Sequence, residues 1–481
     1  MSRSIALLGV SLWLAACSDA PPTSPASPDA PALAKSATET PELEIKFHEA
    51  LGVRSRADGR LQSVRGRNVA ALQAALDRAG VRDARPLFGL VPAERLDGLE
   101  RAARERSGRP APDLRSWHRV SLAPGADVDA VLAVLRALPE VEHANPAPRP
   151  APPPTPDFSA YQTYFSPAPA GSDAEYARTL PGGRGAGVML VDLEYGWNFN
   201  HEDLGIGYWM LISGNLAPDP WAYQCGAALD HAPYYTEHGT AVVGELYARD
   251  NGFGVTGAVP DATLRLATPM FWVFYYPALG VLNAAGQMSP GDVLLLEMQH
   301  RDPYGQYGPI ENEPSVYDAI RTATQAGIIV VEAAGNGNLS LDPPNFGGRF
   351  DRGVMDSGAI IVGGGNAALA HSSISGSNYG ERVDVQGRGE WVTTTGYGCL
   401  HWGGSPASAY TGSFSGTSSA SPIVAAAAVS IQGYLKATGR PVLTPAQMRA
   451  LLVATGTPQT GTRKIGPYPN LREAVAHLDQ P

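Results

Sequence analysis

Short apolar runs alternating with helical stretches constrain this chain more than any other feature in it. Gly187–Val191, Asp292–Glu297, Ile328–Ala333 and Ala359–Val362 are each too short for a helix and carry no polar alternation. Such runs read as strands buried on both faces. Helical spacing recurs at Glu237–Ala248, Ser315–Ala326, Ser419–Ala437 and Pro445–Ala454. Strands alternating with helices of this length predict an α/β fold, a mainly parallel sheet with helices on both faces. In such sheets reactive groups gather beyond the carboxyl ends of the strands. Asp192 and Asn336 both stand at strand ends of that kind.

The helix at Ser419–Ala437 opens at a corner of small residues, Phe414-Ser415-Gly416-Thr417-Ser418-Ser419-Ala420-Ser421-Pro422. A serine at the start of a buried helix has backbone N–H groups and the positive end of the helix dipole pointing at whatever lies above it. Acyl transfer needs such donors in place before the oxyanion forms.

The chain of 481 residues, 44% of them hydrophobic, is long enough for more than one domain. A net charge of -10 excludes a nucleic-acid partner that depends on neutralising phosphates. Arg3 followed by the apolar run Ile5–Ala16 reads as a secretory signal at residues 1–16, too short to span a bilayer. Its end, Leu14-Ala15-Ala16-Cys17, resembles the lipobox of bacterial lipoproteins. That resemblance implies lipidation of Cys17 and a membrane-anchored, exported protein. Ser18 in the next position points to the outer membrane or cell surface, with release to the medium as the further outcome. Residues 17–42 are a low-complexity Pro/Ala/Ser/Thr tether. Residues 43–145 carry strand and helix patterns in turn and predict a small α+β domain. A Pro-rich linker at 146–157 precedes the main domain at 158–481. In an oxidising compartment Cys225 and Cys399 are one candidate disulfide, two free thiols being the other reading. No metal motif occurs, since neither His48-Glu49 nor His201-Glu202 continues into His-Glu-x-x-His.

Five segments in order carry a family resemblance: Asp192 in Val-Asp-Leu-Glu-Tyr-Gly, His201-Glu202-Asp203-Leu204, His238-Gly239-Thr240, Ala333-Ala334-Gly335-Asn336, and Gly416-Thr417-Ser418-Ser419-Ala420-Ser421-Pro422. Over about residues 185–478 the chain resembles the subtilisin-like serine peptidases, the subtilases. The resemblance implies a serine endopeptidase acting on protein or peptide substrates through an acyl-enzyme. Ser418 would be the nucleophile, His238 the base and Asp192 the orienting carboxylate, with Asn336 in the oxyanion hole. His201 and Asp203 match a loop that is structural in the family. Glu297-Met298-Gln299 stands where relatives have Ser-Leu-Gly, and with Gly335 it would line the primary specificity pocket. An acidic Glu297 would there favour basic side chains, unless it pairs locally. The family's Asp-Ser/Thr-Gly is replaced by Asp192-Leu193-Glu194. No cofactor is required, and structural calcium, though compatible with the family, is not readable from the sequence. Residues 43–145 resemble a subtilase propeptide, which implies an autoprocessed precursor inhibited by its own N-terminal domain. The rival reading is a catalytically inactive subtilase-like surface protein that binds peptides.

Overall fold

The computed structural model describes residues 40–56, 58–148, 154–218, 221–222, 232–301 and 305–480, with backbone alone at 221–222 and 232–234. The signal sequence, Cys17 and Cys225 lie outside the described residues. The chain divides between residues 151 and 152 into two compact units, each with its own core.

The first unit runs β1 (Glu42–Phe47), α1 (Ala70–Arg78), β2 (Val81–Pro86), α2 (Ala93–Ser107), β3 (Trp117–Leu122), α3 (Val128–Arg136) and β4 (Val141–Pro146). Its strands form an antiparallel sheet in the order β2-β3-β1-β4. Leu43, Ile45 and Phe47 alternate into the core from β1, as period-two packing requires. Leu132 and Leu135 of α3 join them there. Asp127 caps α3 by accepting from the N–H groups of Asp129 and Ala130, both at 3.1 Å. The edge strand β2 has no apolar alternation to betray it. Only Val81 and Ala84 of its six residues are buried, and its pairing with β3 makes it a strand.

The second unit is built on seven parallel strands: β5 (Met189–Leu193), β6 (Leu211–Ser213), β7 (Thr263–Ala267), β8 (Val293–Leu296), β9 (Ile329–Ala333), β10 (Ile360–Gly365) and β11 (Val385–Arg388). Their order across the sheet is β11-β10-β9-β8-β5-β7-β6. From β5 the chain goes out to one side through β6 and β7, then returns to lay β8 and β9 on the other. The carboxyl ends of β5 and β8 therefore flank the point where the winding reverses, which opens a crevice there. Residues 154–157, linker by composition, are hydrogen-bonded into this unit. Gly254 N–H donates to the Pro156 carbonyl at 2.8 Å, and Thr155 Oγ1 donates to Glu202 at 2.5 Å.

Helices cover both faces. Val191, Leu193, Leu294 and Leu296 pack towards α5 (Pro277–Ala285) and α6 (Pro314–Gln325). Leu190, Leu295, Val331 and Val362 pack on the other face, against α4 (Tyr234–Tyr247) and α7 (Thr417–Ala437). Helix α7 is buried from Thr417 to Gly433, so no polar stripe is needed along it. Its Ala425–Ala428 run lets it lie close against the strands. Two further helices, Pro445–Thr455 and Leu471–Leu478, complete that layer. Helix α4 starts a turn before the expected Glu237, so His238 lies within its second turn instead of at its mouth. The early turn is held by tertiary and local bonds that periodicity does not register: Tyr397 N–H donates to Glu237, and Thr240 Oγ1 donates to the Thr236 carbonyl at 2.6 Å.

Glu245 of α4 is buried, and neither of its oxygens has a hydrogen-bond partner among the described residues. Burial pushes its carboxyl well above the ordinary range, so the folded protein holds it neutral. An unsatisfied buried group of this kind costs about 1–3 kcal/mol. The unfolded carboxyl ionises as pH rises past its ordinary range while the folded one keeps its proton, so stability falls with rising pH. Glu245→Leu is expected to raise the thermal midpoint at pH 4 and by a larger margin at pH 8. Equal midpoints at both pH values would show that the buried carboxyl carries no penalty.

Candidate active site

Gly416 precedes α7 with φ of 97°, a conformation closed to most side chains. A Cβ there would approach Asn336 Oδ1 to 3.0 Å. The turn delivers Ser418 to the second position of the helix, where its N–H has no acceptor inside the helix. Four residues on, Pro422 lacks the N–H that would otherwise bond to the Ser418 carbonyl. The neighbouring hydroxyls are engaged elsewhere. Ser415 donates to the Ser413 carbonyl at 2.9 Å, and Ser419 contacts the Arg388 carbonyl at 3.0 Å. Ser421 lies against the Thr417 carbonyl at 2.8 Å.

Ser418, His238 and Asn336 line one cavity of about 290 Å³. Its walls include Glu297, Met298 and Gln299 beyond the end of β8, together with Tyr195, Tyr235 and Tyr307. A larger cavity of about 920 Å³ adjoins it and shares Tyr195, Tyr235 and Gln299. The rings of Tyr195 and Tyr235 stack at 4.7 Å where the two meet. Gly335 does not line the smaller cavity. It turns the chain at φ of 89° where a Cβ would meet the Gly308 backbone at 2.9 Å.

The carboxylate facing His238 is Glu194, not Asp192. His238 Nδ1 donates to Glu194 Oε2 at 2.5 Å, and Tyr195 N–H donates to Oε1 at 2.7 Å, which satisfies both oxygens of the fully buried carboxylate. Phe414 meets the imidazole edge-on, with ring centroids 5.5 Å apart. Gly239 must be glycine, because a Cβ there would come within 2.7 Å of Glu194 Cγ and 2.2 Å of the Gly196 carbonyl. Asp192 lies inside β5, paired in register with Leu295 and Leu266. Its Oδ2 accepts from Trp197 Nε1 at 2.8 Å, and its Oδ1 is buried without a partner among the described residues. Burial, with the charge of Glu194 nearby, pushes its carboxyl well above the ordinary range. The reason for the difference is reach: two residues of strand span about 7 Å, and only the residue past the strand end clears the sheet. A signal for it existed. The family's Asp-Ser/Thr-Gly puts its carboxylate two residues before a glycine, and Gly196 is two residues after Glu194, so Glu194-Tyr195-Gly196 fills that frame.

Asn336 is held by its own oxygen. Oδ1 accepts from the Thr417 N–H at 2.9 Å and Thr417 Oγ1 at 3.2 Å, which leaves the Nδ2 protons for the cavity. The Asn336 backbone N–H donates to Gln299 Oε1 at 2.9 Å. Glu297 faces no cation among the described residues. Burial and the nearby carboxylates push its carboxyl well above the ordinary range, so the anionic pocket expected for basic side chains gives way to local pairing with Ser421.

His201 stands apart from this chemistry. Its Nε2 donates to the Ala409 carbonyl at 2.9 Å, and its Nδ1 accepts from the Asp203 N–H at 3.3 Å. Burial lowers its pKa to about 4, so it stays neutral. Among the described residues no group of three or more His, Cys, Asp or Glu is placed to hold a metal ion, and no helix is long and apolar enough to cross a membrane. Cys399 is disulfide-bonded, and both other cysteines lie outside the described residues.

Residues 284–469 match the model of the subtilase family. That span includes Asn336 and Ser418, while Glu194 and His238 precede it. The chain is 29% identical over 319 residues to thermitase of Thermoactinomyces vulgaris, covering 63% of this chain and 94% of that one. It is 28% identical over 290 residues to an intracellular serine protease of Paenibacillus polymyxa, covering 59% and 78%. It is 24% identical over 283 residues to the major intracellular serine protease of Bacillus subtilis strain 168, covering 58% and 78%.

A short N–H···O bond to a buried carboxylate deshields its proton. The wild-type proton NMR spectrum is therefore expected to show a far-downfield His238 Nδ1 resonance. It should vanish in Glu194→Gln and persist in Asp192→Asn. Loss in the aspartate variant alone would return the role to Asp192.

Proposed function

We propose that this chain, a subtilisin-like serine peptidase, is an exported, lipid-anchored endopeptidase whose triad is Ser418, His238 and Glu194. The observation that carries the assignment is the 2.5 Å bond from His238 Nδ1 to Glu194, in a wall of the cavity that Ser418 also lines. In this reading His238 Nε2 takes the Ser418 proton as Oγ attacks the peptide carbonyl, then returns it to the leaving amine. Glu194 keeps the proton on Nδ1 and stabilises the imidazolium that forms. Asn336 Nδ2 and the Ser418 N–H take the developing oxyanion. Acyl-enzyme formation and its hydrolysis by water complete the cycle on the same groups.

Export rests on the Arg3–Cys17 segment and is supported by the disulfide at Cys399, which suits an oxidising compartment, with Cys225 as the proposed partner. Processing rests on the separate α+β unit that ends near residue 146, followed by the Pro-rich run. A parallel sheet of distant strands has high contact order and folds slowly, which gives a template domain something to do. Proteins or peptides are the substrates, and the chain's own first unit is the proposed inhibitor.

The full exported chain is expected to lose a fragment of first-unit size and to label with a fluorophosphonate, whereas Ser418→Ala does neither. On a peptide substrate Glu194→Gln should lower kcat by about 10⁴, as loss of the orienting carboxylate does in serine proteases. Asp192→Asn should stay within about threefold of wild type, well under the 1.4 kcal/mol that a tenfold change represents. Asn336→Ala should lower kcat by roughly 10²–10³, a figure that comes from subtilisin itself. A wild type that neither labels nor cleaves would overturn the proposal. A severe defect in Asp192→Asn with an active Glu194→Gln would reverse the triad.

A further inference from the structure

We infer that Glu297 and Gln299 are positioning residues that lock the helix bearing Ser418 and the loop bearing Asn336 onto one strand end, Glu297 by donating a hydrogen bond to Ser421. This rests on the peptidase reading above and adds to it a function for two side chains that stand where relatives have serine and glycine.

Proton counting carries the first half. Ser421 Oγ lies 2.8 Å from the Thr417 carbonyl and 2.5 Å from Glu297 Oε1, and a hydroxyl has one proton to give. A carbonyl can only accept, so the Ser421 proton goes to Thr417 and the proton on the second contact comes from Glu297. Glu297 then stands as a neutral carboxylic acid that donates from Oε1. Its surroundings agree. It is buried, Oε2 has no partner among the described residues, and the groups that face it are the carboxyls of Asp192, Glu194 and Glu245. An ionised Glu297 would set a negative charge beside the Glu194–His238 pair with no cation among the described residues to meet it.

The second half is the alternation of the chain. Glu297 lies just past β8, anchored by its N–H to the Leu193 carbonyl at 3.2 Å. Two residues on, Gln299 Oε1 accepts from the Asn336 N–H at 2.9 Å. Thr417 closes the loop, because its N–H and hydroxyl both hold Asn336 Oδ1 while its carbonyl takes the Ser421 proton. Nucleophile and oxyanion amide are thus registered against each other through one three-residue strut. A site of this kind loses about 10²-fold in rate for a misplacement of about 1 Å.

The test uses the full processed chain and a peptide substrate. Glu297→Ala is expected to lower kcat about 10- to 100-fold with KM within about twofold. Glu297→Gln, whose Nε2 can donate to Ser421, should recover most of that loss. Ser421→Ala should cost about as much as Glu297→Ala, and the double variant no more than either single one, the sign of one shared contact. Gln299→Ala should lower kcat in wild type and leave an Asn336→Ala background unchanged. Thermal unfolding of each variant separates positioning from collapse, and Ser421→Ala reads the same contact from the other side where Glu297→Ala fails to fold. Folded Glu297→Ala or Ser421→Ala with wild-type kcat overturns the inference while leaving the peptidase reading intact. A glutamine as damaging as the alanine does the same. A wild type that neither cleaves nor labels removes both.

Discussion

Burial of helix α7 is the constraint on which the rest depends. A helix enclosed from Thr417 to Gly433 has no freedom to slide or rotate against the strands that support it. Its small residues let it sit close to the sheet, and its start is therefore set by the ends of β8 and β9 to within the tolerance of core packing. Everything that the first turn does follows from that. Gly416 can turn tightly because Asn336 already occupies the space a side chain would need, and Thr417 meets Asn336 because the two elements cannot move apart.

The same burial sorts the carboxyl groups around the cleft. Asp192, Glu194, Glu245 and Glu297 share one low-dielectric region, where isolated negative charges are expensive. Only Glu194 has both oxygens met by N–H donors, one of them on an imidazole that can itself carry positive charge. Asp192 has one indole donor, Glu297 gives its own proton to the Ser421 hydroxyl, and Glu245 has no partner among the described residues. Three of the four are driven neutral, and Glu194 alone is hydrogen-bonded to His238. That arrangement requires that the neutral acids stay dry.

Much of this was legible in the chain. Asp292–Glu297 and Ile328–Ala333 read as buried strands because no polar alternation runs through them, and the helix after Gly416 reads as buried because an alanine-rich run follows the corner. Ser418, His238 and Asn336 could be picked out because each lies beside glycines or small residues in a fixed order. Other parts carried no such signal. Val81–Pro86 is a strand only because β3 pairs with it, and Leu211–Ser213 only because β7 does. The start of α4 is fixed by bonds from Tyr397 and to Thr236, which no periodicity registers.

Which carboxylate meets His238 turns on a different, geometric point. Asp192 and Glu194 are two residues apart, the spacing that would put both on one face of a continued strand, so hydrophobic pattern cannot distinguish them. What separates them is where pairing stops. Leu193 is the last residue of β5 in register with both neighbours, opposite Leu296 and Ala267, and the next residue is free to bend into the crevice. A strand end inferred from composition is uncertain by a residue or two, and here that interval spans the choice between a neutral core acid and the partner of His238. Side-chain length then compounds it, since an aspartate one step deeper in the sheet cannot reach what a glutamate one step beyond it can. The glycine two places after Glu194 resolves the ambiguity, because that turn must begin where the sheet ends.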